Sequence, residues 1–232
     1  MTEFVRKLLS VLTSLLLALL LVSGAIAVPI LWRGWYYAQI NSLALPARTG
    51  WSPQVIREAF DQVMDYLVGD APFATGSLRW SESGRAHFAD CRVLFRLDFL
   101  VLGLSAAALA LVLLPVLTGR VRLYRFGSRG PCFWALMGLL AAVVLLGGWA
   151  LLDFNSFFTA FHVLCFPGKT NWIFDWRTDE IILILPEAFW ARTGALVGGL
   201  ALGGGALLTL GEWRFAPREG SVYEELKHWS GK

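Results

Sequence analysis

Charged residues are scarce in this chain: only 16% of its 232 residues are Asp, Glu, Lys or Arg, whereas 56% are hydrophobic. The mean hydropathy of the whole chain is correspondingly high, at +0.59. This composition excludes an ordinary soluble domain and predicts an integral membrane protein. The net charge is only +3 and the basic residues are spread out, so we expect no nucleic-acid partner.

Internal repeats, low-complexity linkers and strong charge blocks are also absent from the sequence. The chain lacks the Gly-x-Ser-x-Gly turn of many serine hydrolases. It has neither a glycine-rich phosphate loop nor a dinucleotide-binding fingerprint. Any chemistry must therefore depend on other residue types.

Long apolar runs dominate what is present. Leu8–Leu31, Phe99–Leu117 and Pro131–Leu152 contain no charged residue, and Thr193–Leu210 is a fourth run, rich in glycine. Because a spanning helix needs about 20 mostly apolar residues, we predict one all-α membrane domain over residues 1–232. It has four transmembrane helices, and extracytoplasmic helical loops form a small outer cap. The predicted spans are approximately residues 8–31, 94–117, 131–152 and 188–211, and the outer segments are residues 32–93 and 153–187.

Lysine and arginine positions predict the orientation, because short cytoplasmic loops are enriched in these residues. Arg6 and Lys7 precede the first span, and more basic residues lie between spans two and three and in the C-terminal tail. Those between the spans are Arg120, Arg122, Arg125 and Arg129, and those of the tail are Arg214, Arg218, Lys227 and Lys232. We expect a multi-pass protein of the cytoplasmic membrane with both termini in the cytoplasm. The long first apolar run favours an uncleaved helix over a secretory signal.

The first outer segment contains a well-signalled amphipathic helix. Ser52 can cap it, Pro53 suits its first turn, and Gly69 suits its end. One face of this helix is apolar, as expected for a buried or membrane-bound surface. The residues of that face are Ile56, Ala59, Phe60, Val63 and Leu67. Two interpretations stay open: the face packs against the outer domain, or it lies on the bilayer and frames a lipid entrance.

Two histidines are predicted to meet on the outer side of the membrane. A helix that starts near Ser81 carries His87 into span two, and His162 follows span three within an aromatic run. Two imidazoles at one membrane face suit proton transfer. Asp90, three residues after His87, is placed to orient that ring.

Cysteines near both histidines leave alternatives open. Cys91 and Cys165 lie four and three residues after His87 and His162, so the four side chains are a possible zinc site. The two thiols are also a possible disulfide. A third possibility is a catalytic dyad of Cys165 and His162. Two side chains about one helical turn apart point in the same direction, so the thiol and the imidazole would not be aimed at each other.

Several stretches resemble a known family. They are Met64–Gly69, Ser81–Phe95, the run Phe157–His162 with Phe166 and Trp172, and Thr178–Ile182 ending in Pro186-Glu187. In these stretches the chain is similar to the bacterial lipoprotein intramolecular transacylase (Lit) family of four-helix membrane proteins. The family pattern has a glutamate where this chain has Gly84, and Val-Lys where this chain has Cys91-Arg92.

The resemblance implies that the sn-2 acyl chain of a diacylglyceryl lipoprotein moves to the α-amino group of its N-terminal cysteine. No cofactor or metal is expected, the partners are the lipoprotein and membrane lipids, and the oligomeric state stays open. The two essential histidines of the family match His87 and His162, which we predict to be catalytic. We predict Asp90, Asp179 and Glu187 as supporting groups, and Tyr66, Arg92, Trp172 and Phe161 as substrate contacts. The alternatives are a membrane ester hydrolase, with or without a metal ion, and a non-enzymatic lipid- or lipoprotein-binding protein.

Overall fold

A computed structural model describes residues 1–215, and its regular structure is almost entirely helical. The helices are α1 (Glu3–Leu31), α2 (Gly34–Ser42), α3 (Leu45–Thr49), α4 (Pro53–Val68), α5 (Glu82–Leu117), α6 (Pro131–Leu152), α7 (Phe154–Cys165), a short 3-10 helix (Glu180–Ile184) and α8 (Glu187–Phe215). The predicted basic tail residues Arg218, Lys227 and Lys232 lie outside the described residues.

Four helices are long and apolar enough to cross a membrane: α1, α5, α6 and α8. Helix α1 packs against the other three, and α6 also packs against α8, so α1 is the central helix of a bundle. The all-α class with four spans beneath a helical cap is therefore confirmed. The boundaries of the predicted single domain stay a prediction.

Helix α5 connects the bundle to the cap. It has 36 residues, about 54 Å at 1.5 Å per residue, whereas the hydrocarbon core is only about 30 Å thick. Its charged residues all lie in the first half, before the uncharged run Phe99–Leu117. The N-terminal part of α5 therefore projects beyond the span, and His87 belongs to this projecting part.

The cap is built around an aromatic core. Tyr36 of α2 stacks on Phe60 of α4 with ring centroids 3.7 Å apart, and its hydroxyl donates to the carbonyl of Ile184 at 2.9 Å. Ser52 caps α4 as predicted, by accepting a hydrogen bond from the N–H of Val55 at 3.3 Å. These contacts join α2, α4 and the 3-10 helix into one packed unit.

The apolar face of α4 is buried inside this unit. Its residues Ile56, Ala59, Phe60, Val63 and Leu67 all belong to the buried core of the cap. The packing interpretation of this helix is therefore confirmed, and the alternative that its apolar face lies on the bilayer is wrong.

We expect the Ile56→Ala variant to lower the free energy of unfolding by about 2–5 kcal/mol, because Ile56 is fully buried and truncation leaves a cavity. The matched control is Val68→Ala on the same helix, where the side chain is exposed and the expected change is small. Thermal unfolding in detergent checks the difference. Equal losses in the two variants would contradict the assignment of the α4 face.

Candidate active site

The start of α5 is held by a buried carboxylate. Ser81 caps the helix by accepting from the N–H of Gly84 at 3.0 Å, while its own N–H donates to Asp179 at 2.8 Å. Asp179 also accepts from the hydroxyls of Ser81 at 2.9 Å and Thr178 at 2.9 Å. A Cβ at position 84 would overlap Asp179, so glycine is required where the carboxylate packs on α5. This clamp sits one helical turn before His87.

The two predicted histidines come together. The ring centroids of His87 and His162 are 5.8 Å apart, and the two residues are only 5% and 7% exposed. Phe166 and Phe174 present their edges to His87, with centroids 5.0 and 5.4 Å away. Trp172 covers His162, with centroids 4.8 Å apart. The imidazole pair is thus enclosed by aromatic rings.

One hydrogen bond fixes the protonation pattern of His162. Its Nδ1 lies 2.8 Å from the backbone carbonyl of Phe158, one turn earlier in α7. A carbonyl can only accept, so Nδ1 carries the proton and Nε2 of the neutral ring keeps its lone pair. Burial lowers the pKa of His162, and the bond to Phe158 offsets part of this shift. The ring is therefore neutral near pH 7 and able to accept a proton.

His87 has one engaged and one unengaged nitrogen. Its Nε2 is 3.4 Å from the sulfur of Cys91, one turn along α5. Its Nδ1 is buried and has no hydrogen-bond partner among residues 1–215. Buried polar atoms are normally paired, so an unpaired nitrogen in an aromatic pocket points to a group supplied by a ligand.

Asp90 bonds to a loop and not to His87. Its carboxylate pairs with the ammonium of Lys169 and accepts from the side-chain amide of Asn171 at 3.0 Å. The indole N–H of Trp172 donates to the carbonyl of Lys169 at 3.0 Å. Asp90 thereby ties α5 to the loop that places Trp172 over His162, which is an indirect support of the site.

Of the remaining predicted residues, Tyr66, Arg92 and Phe161 make contacts with other predicted residues, whereas the side chain of Glu187 makes no hydrogen bond or ion pair among residues 1–215. The guanidinium of Arg92 lies 4.9 Å above the ring of Tyr66 and also bonds to Asp70 at 3.1 Å. Phe161 contacts His162 edge-on, with centroids 5.3 Å apart. Glu187 is exposed at the start of α8, and within the described chain it has no hydrogen bond or ion pair. The structure therefore does not bring Glu187 to His162.

Three contacting residues escaped the sequence reasoning. Lys169 and Asn171 hold Asp90, and Phe174 packs on His87. Lys169 and Asn171 lie 79 and 81 residues from Asp90 along the chain, so no local spacing could have paired them. Phe174 lies in an aromatic-rich segment, and no motif distinguishes it there from its neighbours.

The structure does not arrange His87, Cys91, His162 and Cys165 as the ligands of a zinc ion. Within residues 1–215, no three His, Cys, Asp or Glu side chains are arranged to hold a metal ion. Cys91, Cys132 and Cys165 are all free thiols. What the arrangement offers is a neutral imidazole with an available lone pair beside a second imidazole, which suits general acid–base catalysis.

Comparison with known proteins gives a consistent result. The family described as "Lipoprotein intramolecular transacylase Lit" matches residues 11–190, whereas no curated protein sequence matches the chain. A structure of the membrane-integral lipoprotein intramolecular transacylase Lit from Bacillus cereus is 21% identical, with a TM-score of 0.81, covering 92% of this chain and 96% of that chain. A structure of the same protein with a histidine-to-arginine mutation has 21% identity and a TM-score of 0.76, covering 91% and 92% of the two chains.

These two comparisons establish different things. The likeness to the Bacillus cereus structures shows that the fold is shared, since the identity is only 21%. The family match extends over most of the chain, from the first span to the start of the fourth. The chain therefore belongs to the lipoprotein intramolecular transacylase (Lit) family of membrane-integral enzymes.

Proposed function

We propose that this protein moves the sn-2 acyl chain of a diacylglyceryl lipoprotein to the α-amino group of the lipoprotein's N-terminal cysteine, with His87 and His162 as the catalytic groups. The observation that carries this proposal is the buried imidazole pair, with centroids 5.8 Å apart in an aromatic enclosure. Membership of the transacylase family supports the same reaction class.

His162 is the general base in this reaction. The substrate amine attacks the ester carbonyl, and its proton goes to Nε2 of His162, which is available because Nδ1 is bound to Phe158. An α-amino group has an ordinary pKa of about 7.7–8.0, so a neutral histidine can remove its proton near neutrality. The new N–C bond forms on the carbonyl carbon that carries the acyl chain.

His87 stabilises the oxyanion that develops in the reaction. Burial raises the pKa of the Cys91 thiol to about 12, so in this proposal the protonated thiol is the donor to Nε2 of His87, and the proton of the neutral ring is on Nδ1, the buried nitrogen without a partner among residues 1–215. Nδ1 donates a hydrogen bond to the developing oxyanion, and as the C–O bond breaks the imidazolium of His162 returns its proton from Nε2 to the glycerol oxygen. One proton leaves the amine and one reaches glycerol, so no acyl donor, water or cofactor is consumed.

The aromatic enclosure favours transfer over hydrolysis. Phe166, Phe174 and Trp172 surround the two imidazoles, and a site lined by rings holds little water beside the reacting ester. Because amine and ester belong to one substrate molecule, the enzyme has chiefly to bring them together. This observation ranks the transacylase above the membrane ester hydrolase.

The other predicted residues have positioning or binding roles. Asp179 fixes the start of α5 through Ser81, and Asp90 fixes the loop that carries Trp172. Phe161 and Trp172 contact acyl or glycerol groups of the substrate, and the Tyr66–Arg92 pair binds its polar part. Glu187 has no role in this proposal.

The site faces the extracytoplasmic side of the bacterial cell membrane in this proposal. At the opposite end of the bundle, Arg6 donates to the carbonyl of Arg122 at 2.9 Å, and Lys7 lies over the ring of Tyr124. The basic N-terminus and the basic loop between α5 and α6 therefore lie together. Clustered positive residues mark the cytoplasmic end, which leaves the histidine pair on the outer side.

The test is mass spectrometry of a reporter lipoprotein's N-terminal lipopeptide from a host without its own N-acylation enzyme. With the wild-type chain we expect the total mass to stay constant while one acyl group moves from glycerol to the amine. His87→Ala and His162→Ala should each abolish the transfer, because each removes one catalytic group. Gln54→Ala, on the exposed surface of α4, is the control and should keep full activity.

Three other outcomes would count against the proposal. Loss of one acyl mass would indicate a hydrolase, and an unmodified amine despite confirmed expression would indicate a binding protein. Full activity in either folded histidine variant, with unfolding temperatures equal to wild type, would remove the acid–base mechanism.

We also expect kcat to fall in acid with a midpoint below pH 6.5, the ordinary histidine pKa. Burial lowers the pKa of His162, so the ring stays neutral and basic until the pH drops below that value. Protonation at lower pH then removes the base and the rate falls. Single-turnover rates between pH 4.5 and 8, with circular dichroism to exclude unfolding, measure the midpoint. A midpoint at or above 6.5 would contradict the role of a buried base.

The indirect role of Asp90 is testable by a double-mutant cycle. Asp90→Ala should lower kcat/KM about tenfold, since it removes two hydrogen bonds to the loop. Lys169→Met should cost about threefold, because its ammonium is half exposed and screened by water.

The double variant should be no worse than Asp90→Ala alone. If Asp90 instead acted directly on His87, Lys169→Met would leave kcat/KM unchanged, and the two effects would be independent.

A further inference from the structure

Helix α7 begins where a membrane span ends. Only Asp153 separates it from α6, and the Asp153 carboxylate caps α7 by accepting from the N–H of Ser156 at 3.0 Å. Leu151 and Leu152, at the end of α6, are each 90% exposed. Two such leucines at the end of an apolar span are suited to face lipid, and the exposed, charged Asp153 that follows them puts the start of α7 at the boundary of the hydrocarbon.

Helix α7 is too short to cross the bilayer. Its 12 residues span about 18 Å, against about 30 Å of hydrocarbon. Its sequence, Phe154–Cys165, contains no Asp, Glu, Lys or Arg. A helix at the headgroup level normally carries a charged face, so an uncharged helix of this length suits a position within one leaflet.

The two sides of α7 have opposite environments. His162 is buried, whereas Phe161 is 46% exposed and Leu164 is 80% exposed. Val163 is also exposed. An exposed apolar edge of this kind, formed by neighbouring residues of one helix, needs a partner. Because it continues from the lipid-facing end of α6, the partner that fits is the hydrocarbon of the adjacent leaflet.

We propose that α7 lies within the outer leaflet, and that its edge formed by Phe161, Val163 and Leu164 guides the substrate's acyl chain from the lipid to His162. The proposal rests on the proposed function for its second part. His162 and this edge are adjacent in sequence on one short helix, so the depth of α7 sets the depth at which the imidazole meets the ester. Helix α4, whose apolar face is buried in the cap, cannot provide such an entrance.

The first experiment maps photo-crosslinks from a phospholipid with a diazirine on its acyl chain. Wild-type protein is placed in phosphatidylethanolamine–phosphatidylglycerol vesicles containing the probe, and labelled residues are located by peptide fragmentation. We expect labelling at Phe161–Leu164 to match that at Leu151 and Leu152. Trp80 of the cap, 44% exposed and so comparable with Phe161, should stay unlabelled. Labelling of the α6 end without α7 would overturn the proposal.

The second experiment tests guidance of the acyl chain. Leu164→Asp should raise KM for a diacylglyceryl lipopeptide at least about tenfold, since a charge replaces an apolar contact of leucine size, with kcat changed by less than about threefold. The matched control is Leu117→Asp, at the end of α5 opposite to His87, where the leucine is 82% exposed against 80% for Leu164; it should change KM by less than about threefold, and thermal unfolding should show that both variants fold. An unchanged KM for Leu164→Asp would overturn the guiding role.

The two experiments separate this proposal from the proposed function. Crosslinking reads the depth of α7 and needs no catalysis. If α7 is labelled but wild-type protein moves no acyl chain, the proposed reaction fails and the position of α7 stands. If α7 is unlabelled and transfer is normal, only the position of α7 fails.

Discussion

The geometry of the site depends on the buried carboxylate of Asp179. A carboxylate can be buried only when its oxygens are well supplied with hydrogen-bond donors, and here Ser81 and Thr178 provide them. The contact requires glycine at position 84, because any larger side chain would occupy the space of the carboxylate. The bonds join the loop between α7 and the 3-10 helix to the start of α5. Helix α5 is a continuous rod from cap to bundle, so fixing its start also fixes the height and rotation of His87.

The Asp90 carboxylate beside the imidazole pair is not hydrogen-bonded to either ring, and this placement affects the charge of the histidines. A carboxylate bonded directly to either ring would stabilise the imidazolium and favour a charged histidine at neutral pH. Asp90 lies close enough to serve that purpose, yet its oxygens bind Lys169 and Asn171. His162 is bonded instead to the neutral Phe158 carbonyl. The charged pair of Asp90 and Lys169 therefore holds the surrounding loop, whereas neither histidine ring is bonded to a carboxylate among residues 1–215. The neutral ring of His162 keeps the lone pair that a general base needs.

How much of this could be read from the sequence depended on the range of each interaction. The four spans and the start of α5 at Ser81 follow from local composition and capping. Counting spans predicts that His87 and His162 lie on the same side of the membrane, but their contact depends on loop geometry that the sequence does not give. The contacts of Asp90 did not follow, because Lys169 and Asn171 are distant in sequence. The face of α4 was ambiguous for a related reason: periodicity shows that a face is apolar without showing what covers it. The exposure of Val163 and Leu164 on α7 could not be predicted, because an apolar residue in the sequence does not show whether the fold covers it.

The absence of a Gly-x-Ser-x-Gly turn from the sequence is consistent with the proposed reaction. In acyl transfer between two molecules, an enzyme commonly stores the acyl group on a serine or cysteine, and the chain has no Gly-x-Ser-x-Gly turn for this task. When nucleophile and ester belong to one lipid-anchored substrate, storage is unnecessary, and what remains is to position two groups and to move one proton. Two neutral imidazoles in an aromatic enclosure meet that requirement. The enclosure must also open toward lipid, because the acyl chain stays in the membrane throughout. A short uncharged helix that carries His162 on one side and exposed apolar side chains on the other satisfies both demands of the proposed reaction.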